Sequence, residues 1–289
     1  MQKDSSEKFV VSGNDGIRGI NRRIIRNDLG CQKSIEELRK LEKFLSRMGF
    51  QSFGRDYIVC HKVIFSMQTL ITSLELTMGS IILCCKDACV ADANSLLRKY
   101  RDDMFFYLYI LIYDSYVKME NTSLQCKEME ERITSWARNE LKNLNIKQVL
   151  RAIAEFDGLT DVVKKYNLKK SFNEIGQRLN DYVHSNGYIY YNKNVNCYQP
   201  GELADKLREI VKNAKYITVV FLLMLCLCAP NLIMSMDYID YLEFNETPPP
   251  GSEYWVAPFI VQFLKENAGL IDENCLEYLR EHSEMCFDS

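Results

Sequence analysis

Histidine appears only three times in this chain, proline six times and tryptophan twice. The three histidines, His61, His184 and His282, are scattered without ligand spacing, and no two cysteines stand as a CxxC pair although there are eleven. This combination disfavours a zinc site and a disulfide framework, so no metal or cofactor is called for. Cys84, Cys85, Cys89, Cys226 and Cys228 lie in apolar runs, where a thiol behaves as a small hydrophobe. The opening MQKDSSEKF has no apolar signal core, and together with the free thiols this points to a reducing cytoplasm. Nor is there an excess of either charge. A formal charge of −3 and a pI near 5.8 provide no overall field for a polyanion, leaving only local patches. Phosphate loops, dinucleotide fingerprints, kinase signatures, zincin motifs and a Ser-His-Asp arrangement are all missing, which disfavours those enzyme classes.

What the chain does hold is apolar residues, 47% of the total against 26% charged, enough to bury a sizeable core. Helical periodicity recurs between polar breaks, and the fold class it predicts is an all-α multi-helix bundle. Ser34 with Glu37, and Ser171 with Glu174, have the spacing of helix-opening capping boxes. One long apolar helix is expected over 57–85, with Glu75 as its only acid, either facing a cation or lying at the edge. The next helix contains Met104–Tyr113, ten residues without a polar break; they are too few to cross a bilayer and so read as buried core. Residues 122–142 carry a narrow stripe of Leu124, Met129, Ile133 and Trp136, the mark of an outer helix. Shorter helices follow at about 146–156 and 159–167. The stretch 188–198, YIYYNKNVNCY, is the one ambiguous strand.

Three regions result: a polar, partly disordered leader over 1–33, a helical core over 34–200, and a helical extension over 201–289 with a linker at 245–252. Within the leader, Arg18, Arg22, Arg23 and Arg26 form a short basic patch suited to phosphate or anionic lipid, while Gly13, Asp15, Gly16 and Gly19 interrupt any period. Arg98, Arg101, Asp102 and Asp103 make a charged knot that reads as a solvated helix start; orienting a site is the alternative. Tyr254 and Trp255, in EYWVAPFI, read as aromatic core or as an anchor for a partner or membrane.

Residues 216–236 contain no formal charge and have the length of a transmembrane helix, with Lys206, Arg208, Lys212 and Lys215 before and Asp237, Asp240, Glu243 and Glu246 after. This asymmetry would set the N-terminal bulk in the cytoplasm, against the inner membrane. Pro230 and Asn231 divide the run, and the first 13 residues equally suit the central helix of a soluble bundle.

The stretch RLNDYVHSNG sets Arg178 and His184 six positions apart on a helix of an all-α protein. That pattern resembles the Arg-x(4 to 6)-His motif of the HEPN superfamily, helical domains frequent in bacterial toxin and phage-defence systems. The resemblance rests on residues 171–187, with looser similarity in LLRKYRDDMFFYLYI. It implies a metal-independent endoribonuclease acting on RNA, usually with the site assembled where two copies of a homodimer meet. In those terms His184 is the general acid/base for the ribose 2′-hydroxyl and Arg178 holds the scissile phosphate; imidazole titrates near neutral pH and guanidinium offers phosphate paired donors. Leu179 departs from the pattern, since many catalytic members carry a polar residue there. Arg55 and His61 repeat the spacing, with Asp56 as a polar neighbour. On an ideal helix six residues turn two side chains about 120° apart, so Arg178 and His184 would converge only across a partner surface. The competing reading is structural: Phe172, Ile175, Leu179, Tyr182 and Val183 line one face, Arg178 pairs with Asp181, and His184 favours the helix end. A non-enzymatic helical adaptor of unknown partner and a single-pass membrane effector remain the alternatives.

Overall fold

The computed structural model describes residues 16–52, 57–60, 63–121, 123–183 and 197–287. Among them are twelve α-helices and a single two-stranded hairpin, so the fold is all-α. At its centre lie two long helices, α4 (Val90–Lys118) and α9 (Pro200–Cys228). Every residue of 104–113 and of 217–226 is buried, so both helices are covered on all sides over those runs. They run parallel and in step. Tyr100 Oη lies 2.8 Å from Thr218 Oγ1, the Tyr107 and Phe221 rings stack with centroids 5.8 Å apart, and Ser115 Oγ donates to the Cys228 carbonyl at 3.2 Å.

Around this pair pack α2 (Leu29–Arg47), α3 (Met67–Lys86), α6 (Ile146–Glu155), α7 (Asp157–Lys165) and α8 (Leu168–Val183). The helix α5 (Leu124–Ala137) lies outside, burying Cys126, Met129 and Ile133 while Leu124 is exposed. The remaining helices are α1 (Ile17–Asn27), α10 (Asp237–Glu243), α11 (Pro258–Asn267) and α12 (Cys275–His282).

Residues 17–27 and 29–33, expected within a partly disordered leader, are helical. Ile24, Ile25 and Asn21 of α1 are buried, and Asp28 caps α2 by accepting from the Cys31 amide at 2.9 Å. Ser34 therefore sits inside α2, where its hydroxyl donates to the Gly30 carbonyl, rather than at a cap. Likewise α8 begins at Leu168, after Asn167 in the left-handed region (φ 48°), so Ser171 lies in its first turn. The helix expected over 57–85 is instead a hairpin, β1 (Tyr57–Cys60) and β2 (Val63–Ser66), followed by α3. An unbroken apolar run does not distinguish strand from helix, and here the β-branched and aromatic residues of YIVC and VIFS take the extended form. Glu75 is half-buried on the flank of α3.

The uncharged run 216–236 is not one element. Pro230 lacks an amide and its ring excludes a further helical turn, so α9 ends at Cys228 and a 3₁₀ turn, Pro230–Ile233, follows. Among the described residues two helices are long and apolar enough to cross a membrane: Gly201–Cys228, whose most apolar 18 residues have mean hydropathy 1.8 and are 72% buried in the bundle, and Met67–Lys86, with 1.4 and 39%. Buried apolar side chains from Leu203 to Phe287 share one hydrophobic cluster with the preceding helices. The stretch 245–252 is a turn in which Ser252, 1% exposed, donates to the Pro249 carbonyl. Trp255 is woven in through its backbone, accepting from the Ser235 amide and bridging Cys286, while Tyr254 is exposed.

Candidate active site

The helix α8 buries Phe172, Ile175, Gly176 and Leu179, a stripe at i, i+3, i+4 and i+7. Tyr182 is only half-buried and Val183 is 42% exposed, so the apolar face expected to include them ends one turn earlier. Arg178 is exposed. It stands two positions beyond Gly176, about 200° round the helix, and so points away from the core. His184 lies outside the described residues, as do Arg55, Asp56 and His61; the helix that precedes it is described up to Val183.

Facing α8 from α4 is the charged knot, and it is not a solvated helix start. The Arg101 side chain is 4% exposed, Asp102 18% and Arg98 21%. Arg101 donates from Nε and Nη2 to Asp102 Oδ1 at 2.8 and 2.5 Å, and Arg98 Nε lies 3.4 Å from Asp102 Oδ2. Two cations thus share one carboxylate within the bundle, an arrangement that offsets the desolvation of each. Gly176 makes it fit. A Cβ there would lie 2.8 Å from the Arg101 Cζ and nearer still to Nη1, so only a residue without a side chain lets the guanidinium lie against the α8 backbone. The guanidinium also sits 5.9 Å from the Phe172 ring centre, and Phe172 packs on Phe105. Residue 101 opposes 176 and residue 105 opposes 172, so α4 and α8 run antiparallel. The knot divides by face: Lys99 and Asp103 pair on the side lined by Leu70, Leu74 and Trp136 of a cleft, where burial raises the Asp103 carboxyl and Lys99 opposes that rise.

Beyond Leu179, the end of α8 approaches two other elements. Tyr182 is electrostatically coupled to Lys206 and Glu209 on α9 and to Tyr198. The Tyr198 amide donates to Oδ1 of the buried Asn21 on α1 at 3.1 Å. The fold thus gathers the end of α8, the first turns of α9 and the basic α1 at one end of the bundle, with Arg178 facing solvent and Arg101 beneath. Chemically, the outer side of α8 offers the exposed Arg178 guanidinium, while on its inner side Arg101 is buried and paired with Asp102.

Compared with known proteins, the chain matches no family model, no curated protein and no solved structure.

The pairing of Arg101 with Gly176 was not foreseen from sequence. A signal existed: a glycine inside an otherwise regular amphipathic helix marks a close approach. Also unforeseen was the meeting of Arg22 with Asp87, 65 positions away, in which Nε and Nη2 donate to the two carboxylate oxygens at 2.9 and 2.8 Å.

Proposed function

We propose that the chain is a HEPN-like, metal-independent endoribonuclease of a toxin or phage-defence type, with Arg178 and His184 as its working pair and a homodimer as its active form. The observation that carries this reading is the position of Arg178: exposed, on a helix described to Val183, whose opposite face packs through Gly176 against the buried Arg101 of α4. The chemistry needs no cofactor. Imidazole takes the proton from the ribose 2′-hydroxyl as its oxygen attacks the adjacent phosphorus, the bond from phosphorus to the 5′-oxygen breaks, and the same proton is returned to that oxygen. Guanidinium at 178 holds the phosphate oxygens as charge builds on them. The products are a 2′,3′-cyclic phosphate and a 5′-hydroxyl.

Expression of wild type beside Arg178→Ala and His184→Ala, scoring growth, RNA integrity and the chemistry of the cut ends, tests the assignment. Cleavage retained in His184→Ala removes it. A second reading, a non-enzymatic adaptor, draws on the hairpin, whose outer face leaves Tyr57, Val59 and Ile64 68%, 58% and 67% exposed. An inert wild type that captures a partner through that face would favour it. For localisation we propose the cytoplasm, with contact to the inner membrane through the apolar helices as a finer possibility that fractionation of lysate without detergent decides.

A further inference from the structure

Charge along the chain is uneven. Residues 17–47 hold nine basic and four acidic side chains, a net +5 in a chain of −3. Folding concentrates this excess. Helix α1 sets Arg18, Arg22 and Arg26 in a stripe, one turn apart, that spans about 12 Å. Against it, α2 brings Arg39 and the end of α3 brings Lys86, and the three elements enclose a cleft of about 360 Å³. Asp87 alone among the lining residues is acidic, and it is occupied by Arg22 in a two-point bond and by Arg18 at 3.8 Å. That carboxylate orients the guanidinium groups rather than neutralising the cleft. Arg39 is held at 3.2 Å by the exposed Glu36, a weak surface pair. Arg26 and Lys86 are exposed, with no acidic partner within 4 Å among the described residues.

We infer that this cleft binds the phosphodiester backbone of single-stranded RNA. The choice of RNA rests on the ribonuclease reading; the preference for a chain of phosphates rests on the cleft itself. Four lining cations drawn from three helices, Arg22 and Arg26 about 6 Å apart along α1 with Arg39 of α2 and Lys86 of α3, exceed what one phosphate can engage, and arginine is the side chain best matched to phosphate oxygens. A bilayer surface fits less well, because the cations line a concavity and its apolar members, Ile25 and Ile35, are 3% and 2% exposed, leaving nothing to insert among lipid tails. Another flank of α1 meets the chain leading into α9 through Asn21 and Tyr198, and Tyr198 neighbours Tyr182 of α8, so the cleft and the last described turn of α8 lie at the same end of the bundle.

The test uses the full-length chain and a fluorescein-labelled single-stranded oligoribonucleotide of about 12 nucleotides, within the range such sites cover. Fluorescence anisotropy is measured across a salt series for wild type, for Arg26→Ala/Lys86→Ala, and for Lys127→Ala/Lys147→Ala as a charge-matched control of exposed basic residues on α5 and α6. Loss of two phosphate contacts is expected to weaken binding by about tenfold and to flatten the slope of log affinity against log salt by about 1.4. The control pair should change neither. Equal affinity in wild type and Arg26→Ala/Lys86→Ala, or binding to vesicles of anionic phospholipid without binding to RNA, overturns the inference. The two proposals fail separately. Cleft-dependent binding without cleavage sinks the ribonuclease, whereas cleavage whose KM is indifferent to Arg26 and Lys86 sinks the cleft.

Discussion

Replacing Gly176 with alanine tests the α4–α8 contact directly. On propensity alone the change favours the helix by about 1 kcal/mol. The new Cβ, however, would fall 2.8 Å from the Arg101 Cζ and closer to Nη1, inside a seam where the Arg101 side chain is 4% exposed. Two routes relieve the overlap. Either α8 moves off α4, at the upper end of the overpacking range, about 3 kcal/mol, or the guanidinium withdraws and leaves Asp102 with Arg98 alone, at a comparable cost of about 3 kcal/mol or more. Net of propensity, the loss is about 2 kcal/mol, which for a chain of this size lowers Tm by about 3 °C. Thermal melting followed by far-ultraviolet circular dichroism reads it. The same substitution made on an Arg101→Ala background should cost little or even stabilise, giving a coupling of about 2–3 kcal/mol between the two sites. If Gly176→Ala melts at or above wild type, or costs the same with and without Arg101, the account of this seam is wrong.

Three further outcomes are expected. Thr218 Oγ1 donates to the Ala214 carbonyl at 2.9 Å, so in the buried pair Tyr100 is the donor; Thr218→Val should therefore cost about 1–3 kcal/mol by stranding that hydroxyl, and more than Tyr100→Phe, as denaturant titration of both would show. Hydrogen bonds from Lys215 and then Lys40 hold the Glu37 carboxyl below its usual range. A depressed carboxylate stabilises above its unfolded pKa, about 4.3, and loses that contribution as pH falls through the lower folded value, so the Tm gap between wild type and Glu37→Gln, below about 1 kcal/mol in effect, should be full at neutral pH and close in acid. Burial pushes the thiols of Cys31 and Cys275 up to about 12 and raises those of Cys85 and Cys226 further still; maleimide should label the exposed Cys197 in the native protein and reach these four only in denaturant.

The sequence disclosed what is local and periodic. The ten uncharged residues from Met104 read as core and are buried throughout, the short α6 and α7 were equally plain, and the outer stripe of α5 holds at Met129 and Ile133 but not at the exposed Leu124. In α1 the helical signal is present but outweighed: Ile17, Ile20, Asn21, Ile24 and Ile25 follow helical spacing, yet Gly13, Asp15, Gly16 and Gly19 interrupt the period around them. The hairpin was hidden because YIVC and VIFS continue into an apolar helix without a break in hydrophobicity. Non-local partners were out of reach. Nothing near Arg101 in sequence announces Gly176, and nothing near Arg22 announces Asp87, because those pairings arise only when separate helices meet. Of the site itself, spacing supplied the candidates Arg178 and His184, but exposure and the backing provided by α4 belong to the folded chain.

The parallel central pair has a consequence for biosynthesis. Tyr100 meets Thr218 across 118 positions, and Ser115 meets Cys228 across 113. A nascent chain emerging from the ribosome therefore displays the greasy flank of α4 long before its mate has been translated, and contacts of such sequence separation form slowly. Chaperone occupancy during synthesis should peak in that interval, and a premature stop anywhere ahead of Cys228 should yield an insoluble, degraded product rather than a smaller working one.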